Sequence, residues 1–238
     1  MSASPAVSPS KGAAVRTMFT RIARRYDLMN SLMTGGRHHA WRRRVALSAA
    51  GAPAGPVLDL ATGTADLALA VRARTPGRFV AGADFSEGML RVGQAKLRQR
   101  RVARVELLVA DALALPFRDG AFACVMSAFL LRNLEDLGRG LAEMRRVTAR
   151  GGRVITLDIV RPAQPLWGAF FGAYFNHVVP AIGAFVAGDR QAYTYLPQSV
   201  DRFVTPDELA ELMEDVGLRD VTYRRFGLGT IALHVGIA

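Results

Sequence analysis

The sequence predicts an α/β domain whose sheet is doubly wound, mostly parallel and seven-stranded, with a C-terminal antiparallel hairpin. Three observations carry that prediction. Between residues 52 and 160, short apolar runs alternate with amphipathic stretches of helical period, the pattern of parallel strands joined by crossover helices. The first three runs each lead to an acid, Asp59, Asp84 and Asp111. After residue 200 the alternation stops, and a helix is followed by two β-rich runs at hairpin spacing.

Taken in order, Pro56–Leu60 is the first strand, and it runs through Ala61-Thr62-Gly63-Thr64 into a helix carrying Leu67, Ala70 and Val71. Phe79–Ala83 is the second, closed by Asp84. Ser86 then offers an N-cap, with Glu87 in the first turn of a helix through Leu97. Val105–Val109 and Phe122–Ser127 are the third and fourth strands. A helix with Leu137, Leu141, Met144 and Val147 follows, with an expected break at Gly151-Gly152 before a fifth strand, Val154–Ile159. Thr205-Pro206-Asp207-Glu208 has the residues of a capping box with proline at the first helical position, and Gly217 ends that helix. Val221–Arg225 and Thr230–Val235 form the hairpin.

The chain has 238 residues, enough for one large core, and half are hydrophobic, which excludes a disordered or fibrous protein. One cysteine, Cys124, excludes an intramolecular disulfide. No histidine and cysteine spacing suits zinc, since adjacent His38 and His39 would leave a helix on different faces, so no metal is expected. The net charge of +11 is concentrated: residues 1–51 hold nine Lys and Arg against the single acid Asp27. That basic arm suits an anionic membrane surface, a nucleic acid or a solvated helix face. Residues 163–188 contain no Asp, Glu, Lys or Arg. Their length suits a membrane span, but Pro165, Pro180, Gly168, Gly172, Gly183, Asn176 and His177 interrupt them, and the sheet is completed afterwards. A lid over an apolar pocket is the better reading. The expected divisions are a tail at 1–12, basic helices at 13–51, a cofactor-binding core at 52–160, the apolar lid at 161–200, and a helix with hairpin at 201–238.

The turn Asp59–Asp66 leaves a strand and opens a helix, where backbone amides can meet a ligand. It has only Gly63 where a dinucleotide loop wants three glycines, and an acid precedes it. An acid repels phosphate and suits a cation, which favours S-adenosylmethionine over NAD. Asp84 is placed to accept two ribose hydroxyls, and Asp111, in Val109-Ala110-Asp111-Ala112, to accept from an adenine amino group, all at the carboxyl ends of consecutive strands.

With these residues in view, the chain resembles a class I S-adenosylmethionine-dependent methyltransferase, with the Rossmann-like fold of that class. Within the class it resembles the C-methyltransferases of menaquinone and ubiquinone biosynthesis, from Met18 to Gly236. The matching segments are Tyr26-Asp27-Leu28-Met29-Asn30 with Met33-Thr34, His38 and Trp41; Leu113–Phe117; Phe129-Leu130-Leu131-Arg132-Asn133; Arg146–Arg153; and Phe175-Asn176-His177. Gly63-Thr64-Ala65-Asp66 is similar to the menaquinone-only members. Two departures stand out: Leu130 replaces a usual glycine, and Ala128 replaces a serine near the cofactor.

The resemblance implies methyl transfer to a ring carbon of a reduced prenylated quinone. The cofactor would lie on Asp59, Gly63, Thr64, Asp84, Asp111, Ala112 and Ala128. The adjacent phenol, with a pKa of about 10, must ionise. Arginine is too weak a base for that, so Arg132 is expected to stabilise the phenolate or orient a water, with Asn133 and Tyr26 completing the hydrogen bonds. The alternative for Arg132 is a surface pair with Glu135 or Asp136. His177, His38 and Asp158 are lesser candidates. A polyprenyl substrate would account for the arginines at 21, 24, 25, 42, 43 and 44 interleaved with apolar residues, as helices lying on an anionic bilayer. The expected location is cytoplasmic, peripheral to the inner face of the cell membrane, and the apolar stretch would equally serve a homodimer. A benzoquinol and a lipid amine are the alternative acceptors. Nucleic acid is not expected, because Ser127-Ala128-Phe129-Leu130 lacks the Pro-Pro-aromatic segment of enzymes that methylate its amino groups.

Overall fold

The computed structural model describes residues 11–162, 168, 171–183 and 190–238. Seven strands form one sheet in the order β3-β2-β1-β4-β5-β7-β6, with β1 Val57–Leu60, β2 Val80–Asp84, β3 Val105–Val109, β4 Phe122–Ala128, β5 Thr148–Ile159, β6 Arg219–Phe226 and β7 Ile231–Ile237. The first five are parallel, and β7 runs antiparallel between β5 and β6. The expected fold class is the observed one. Because β2 and β4 flank β1, the strand order reverses there, and a crevice opens outside the carboxyl ends of the strands.

Both faces of the sheet are covered, which is why β1 and β2 are buried at every position. Leu58 and Leu60 point into one core with Leu141 and Met144 of α6 (Leu137–Val147). Val57 points into the other with Val45 and Ala49 of α3 (Arg37–Ala50) and Ala68 and Val71 of α4 (Asp66–Arg74). α5 (Glu87–Gln99) starts at Ser86, whose Oγ accepts from Met89 N, and α6 starts at Asp136, which accepts from Arg139 N. α1 (Lys11–Ile22) and α2 (Tyr26–Thr34) lie above the crevice with α7 (Val179–Ile182), α8 (Arg190–Asp201) and a wide helical turn at Tyr174–Val178. Ile22, Met29 and Val179 bury the contact between them. α9 (Pro206–Asp215) begins with the full capping box at Thr205 and Glu208.

Two local expectations are corrected. Gly151-Gly152 does not separate a helix from a strand: α6 stops at Val147, and β5 begins at Thr148 and continues through both glycines. The register against β4 slips there, Phe122 facing Thr148 but Cys124 facing Arg153, so the glycines bulge the strand. A side chain at 152 would meet the carbonyl oxygens of Ala149 and Ala123 within 2.8 Å, a clash of backbone. His38 is buried and His39 exposed, yet their rings touch, with centroids 3.9 Å apart. Adjacent residues on a helix sit about 100° apart, close enough for two broad rings to meet.

Much of the expected lid, 163–167, 169–170 and 184–189, lies outside the described residues, as do residues 1–10 of the expected tail. Among the described residues no helix is long and apolar enough to cross a membrane.

Candidate active site

The turn after β1 folds over β2. Ala61, Gly63 and Ala65 all have positive φ (56°, 56° and 65°), and Thr62 crosses β2 at Gly82, where a Cβ would meet Thr62 Oγ1 at 2.9 Å. A methyl at Gly63 would find nothing nearer than Met89 Cε at 3.5 Å, so the turn leaves room for a ligand against its backbone. Asp84 braces it: Oδ2 accepts from Gly63 N and Oδ1 from Ser86 N, each at 2.8 Å. Gly63, Asp84, Ala128 and Asn133 line a narrow crevice of about 40 Å³ that α1 roofs with Val15 and Phe19.

Asp59 is buried beneath this turn. Its Oδ2 accepts from Thr62 Oγ1 at 2.6 Å, and its Oδ1 has no partner. Burial pushes its pKa up to about 7 against the Thr62 bond, and burial pushes Asp84 up to about 6 against the amides of Ser86 and Gly63. Two buried acids, one with an orphaned oxygen, and a glycine turn with no phosphate clamp fit a cationic nucleoside such as S-adenosylmethionine.

A pH dependence follows from these shifts. An acid whose folded pKa is raised contributes stability at low pH that is lost as pH rises through that pKa. With ordinary carboxyl values near 3.8 and folded values of about 7 and 6, the ligand-free protein is therefore expected to lose stability as pH rises from about 4 to 7. A ligand ammonium favours the ionised acids, so S-adenosylhomocysteine should bind tighter, with proton release, over the same interval. Calorimetry in two buffers of different ionisation heat checks this, and an affinity flat across that range would refute it.

Beside the crevice lies a larger cavity of about 250 Å³, mostly apolar, walled by Phe19, Met33, Trp41, Phe171, Tyr174, Leu196 and Leu228 among others. The two spaces share Phe19, Tyr26, Phe129 and Asn133. Phe129, at that junction, is held at φ 65°, an unfavourable backbone for a bulky residue and a form of strain that clusters at functional sites. Leu130, where the family pattern has glycine, is at φ −91°, a conformation open to any residue. Its buried side chain lines the crevice.

Arg132 and Arg37 both line the cavity, and Arg132 is the one beside Phe129 and Asn133. It pairs with Asp158 at 2.5 Å, an acid only 1% exposed whose other bonds come from Leu131 N and Ile159 N. The expected alternative, a surface pair with Glu135 or Asp136, does not form: Asp136 caps α6, and Glu135 accepts from Gly12 N. Asn133 Nδ2 donates to Phe129 O at 2.9 Å, leaving its Oδ1 without a partner.

The family model described as the ubiE/COQ5 methyltransferase family matches residues 7–238. The chain belongs to that family. It is 44% identical to a demethylmenaquinone methyltransferase of Thermus thermophilus, over 92% of this chain and 99% of that one. It is 42% identical to a ubiquinone/menaquinone biosynthesis C-methyltransferase of Desulfotalea psychrophila, over 96% and 92%. A crystal structure of a SAM-dependent methyltransferase from Aquifex aeolicus superposes with a TM-score of 0.64 at 17% identity, covering 89% of this chain and 98% of that one, which speaks for the fold.

As a methyltransferase of this family, the protein brings Gly63, Asp84, Ala128, Asn133 and Tyr26 to one crevice and Arg132 to the adjoining cavity. Other expected residues are placed differently. Thr64 turns its hydroxyl away to Asp27 Oδ1 at 2.6 Å. Asp111 is exposed, its Oδ1 accepting from Leu113 N, and Ala112 is buried in the core. His177 is exposed. His38 lines the cavity, but Ser31 Oγ sits on its Nε2 and Arg42 on its Nδ1; burial and Arg42 push its pKa down to about 4. Arg42 is also corrected. It is buried beside Asp66 and cannot reach a bilayer.

That pairing belongs to a network the sequence did not reveal. Lys96 Nζ bonds Asp27 Oδ2 at 2.8 Å, Asp66 Oδ1 at 2.5 Å and Thr64 Oγ1 at 3.2 Å, tying α2 to the glycine turn next to Tyr26. Lys96→Met leaves Asp27 and Asp66 facing each other and is expected to cost about 2 kcal/mol, below the range for a fully buried pair because Asp27 is partly exposed. Urea unfolding of this variant, Asp27→Asn and the double variant checks it. The double loss should be smaller than the sum of the two.

Proposed function

We propose that the protein transfers the methyl group of S-adenosylmethionine to a ring carbon of a reduced, prenylated quinone, and that its acceptor is a demethylmenaquinol. One observation carries this reading: an apolar cavity with a buried arginine in its wall adjoins the crevice lined by Asp84 and shares Tyr26, Phe129 and Asn133 with it. The relatives named for demethylmenaquinone methylation support it.

When bound, the donor supplies an electrophilic methyl on a sulfonium, so the protein's work is alignment and charge. Asp59 and Asp84 would face its cationic and ribose groups, and Gly63 and Ala128 would allow close approach. Arg132, held by Asp158, presents positive charge in a mostly apolar cavity, where it stabilises a phenolate strongly. The phenolate makes the neighbouring ring carbon nucleophilic. The new carbon–carbon bond forms as the sulfonium–carbon bond breaks, and the proton on that carbon then leaves to water. Asn133 and Tyr26 stand where the two spaces meet and would fix the ring against the methyl.

The reading extends to a membrane. Arg24, Arg25, Arg43 and Arg44 are exposed on the N-terminal helices, as are Leu28 and Leu32, while Leu228 at the cavity wall is 62% exposed. Basic and apolar residues together suit an anionic bilayer carrying the substrate. The deciding experiment gives the enzyme labelled S-adenosylmethionine with a short-chain 2-prenyl-naphthoquinol and the matching benzoquinol. Product from the naphthoquinol alone is expected, and product from neither would refute the reading. Pelleting with anionic vesicles at low salt and release at high salt are expected alongside.

A further inference from the structure

Among the described residues, eight buried side-chain polar atoms have no protein partner, and four belong to residues lining the apolar cavity: Asn30 Nδ2, Arg132 Nε, Asn133 Oδ1 and Tyr195 OH. Buried polar atoms are nearly always paired, so this concentration in one apolar cavity calls for a ligand that pairs them. We infer that Tyr195 and Asn30 are substrate-recognition residues, holding the ring oxygens of the acceptor together with Arg132 and Asn133. The inference rests on the proposed quinol chemistry and deepens it.

The atoms differ in what they can accept. Arg132 Nε and Asn30 Nδ2 only donate. Asn133 Oδ1 only accepts, and its orientation is set because Nδ2 is spent on the Phe129 carbonyl. Tyr195 OH does either. A ligand that satisfies the set must both accept and donate, as a hydroquinone or its monoanion does. An oxidised quinone has carbonyls alone and would leave Asn133 Oδ1 unpaired, so the same atoms select the reduced form, the one nucleophilic enough to be methylated.

Tyr195 and Arg132 line the same cavity, and the Arg132 charge acts on the Tyr195 phenol. Burial raises the phenol's pKa, which keeps Tyr195 protonated and able to donate to a phenolate. It comes from α8, remote in sequence from every motif of the crevice.

The test uses Tyr195→Phe and Asn30→Leu in the full chain, with 1,4-naphthoquinol as binding probe, kept reduced and followed by the fluorescence of Trp41 in the cavity wall. Each variant is expected to weaken naphthoquinol binding roughly tenfold, the scale of one lost hydrogen bond, and to raise KM for the prenylated naphthoquinol similarly. Affinity for S-adenosylhomocysteine should not change. Removing an unpartnered buried hydroxyl should leave the melting temperature of ligand-free Tyr195→Phe unchanged or raised, whereas a hydroxyl needed for folding would lower it. Wild-type affinity for the quinol in Tyr195→Phe, or weaker binding accompanied by a lowered melting temperature, would overturn the inference. If the wild type binds naphthoquinol and Tyr195→Phe binds it tenfold more weakly while neither methylates any quinol, the recognition role stands and the proposed reaction fails. If the wild type does not bind the probe, both fail.

Discussion

Replacing Arg132 with methionine is expected to lower turnover of a naphthoquinol by about 10²–10³-fold, the usual cost of removing a preorganised group that stabilises developing charge. S-adenosylhomocysteine should still bind, since Arg132 lines the cavity and not the crevice. The same change strands Asp158, which is 1% exposed, and breaking a buried pair from one side costs about 3–5 kcal/mol. That loss should itself depend on pH. Burial already raises the pKa of Asp158, and Arg132 is what holds it down. Without Arg132 the folded pKa rises further, so the variant keeps most of its stability at low pH, where Asp158 takes a proton, and loses it as pH rises. The double variant Arg132→Met/Asp158→Leu removes both charges; it should recover much of the stability and none of the turnover. Unfolding at pH 5.5 and 8 alongside single-turnover assays separates the two roles. A double variant that regains activity would show that Arg132 serves only to neutralise Asp158.

Asp84→Leu is expected to abolish measurable cofactor affinity, a loss of at least about 100-fold, and to destabilise the ligand-free protein less than it damages binding. Both carboxylate oxygens hold loop amides, Gly63 N on one and Ser86 N on the other, so the acid sets the distance between the glycine turn and the start of α5. Leucine would leave both buried amides unpaired, at about 1–3 kcal/mol each. Part of that cost is offset, because Asp84 no longer has to be ionised in a buried site that raises its pKa to about 6. Asp84→Asn keeps one acceptor but turns an amino group toward an N–H, so it should fall between wild type and leucine. Titration calorimetry with S-adenosylhomocysteine ranks the three. Wild-type affinity in Asp84→Leu would remove Asp84 from the cofactor site.

Most of the architecture was legible because its signals are local. The strand order along the chain, the caps at Ser86 and Thr205, and the hairpin after Gly217 depend on residues a few positions apart, and the structure has each of them. The acids at the carboxyl ends of β1 and β2 and just after β3, and the Arg132-Asn133 pair, stood out because residue type and strand position together imply chemistry. Arg42 and Gly151-Gly152 show where local signals mislead: one reads as another basic surface residue, the other as a break between elements.

The partners were not legible. Arg132 meets Asp158 26 residues on, and Lys96 meets Asp27 69 residues back. A sequence reports that a charge exists, while which opposite charge it meets, and whether water reaches the pair, depends on how the sheet and helices close around it. Tyr195 shows this most plainly. Nothing around it in sequence distinguishes it from a surface tyrosine of an amphipathic helix, and only the packing of α8 over the cavity leaves its hydroxyl buried and unpaired. The chain's order of residues thus accounts for the sheet, the cofactor crevice and the kind of chemistry. The recognition of the acceptor's oxygens arises from long-range packing, because only burial makes an unpaired polar atom costly enough to demand a ligand.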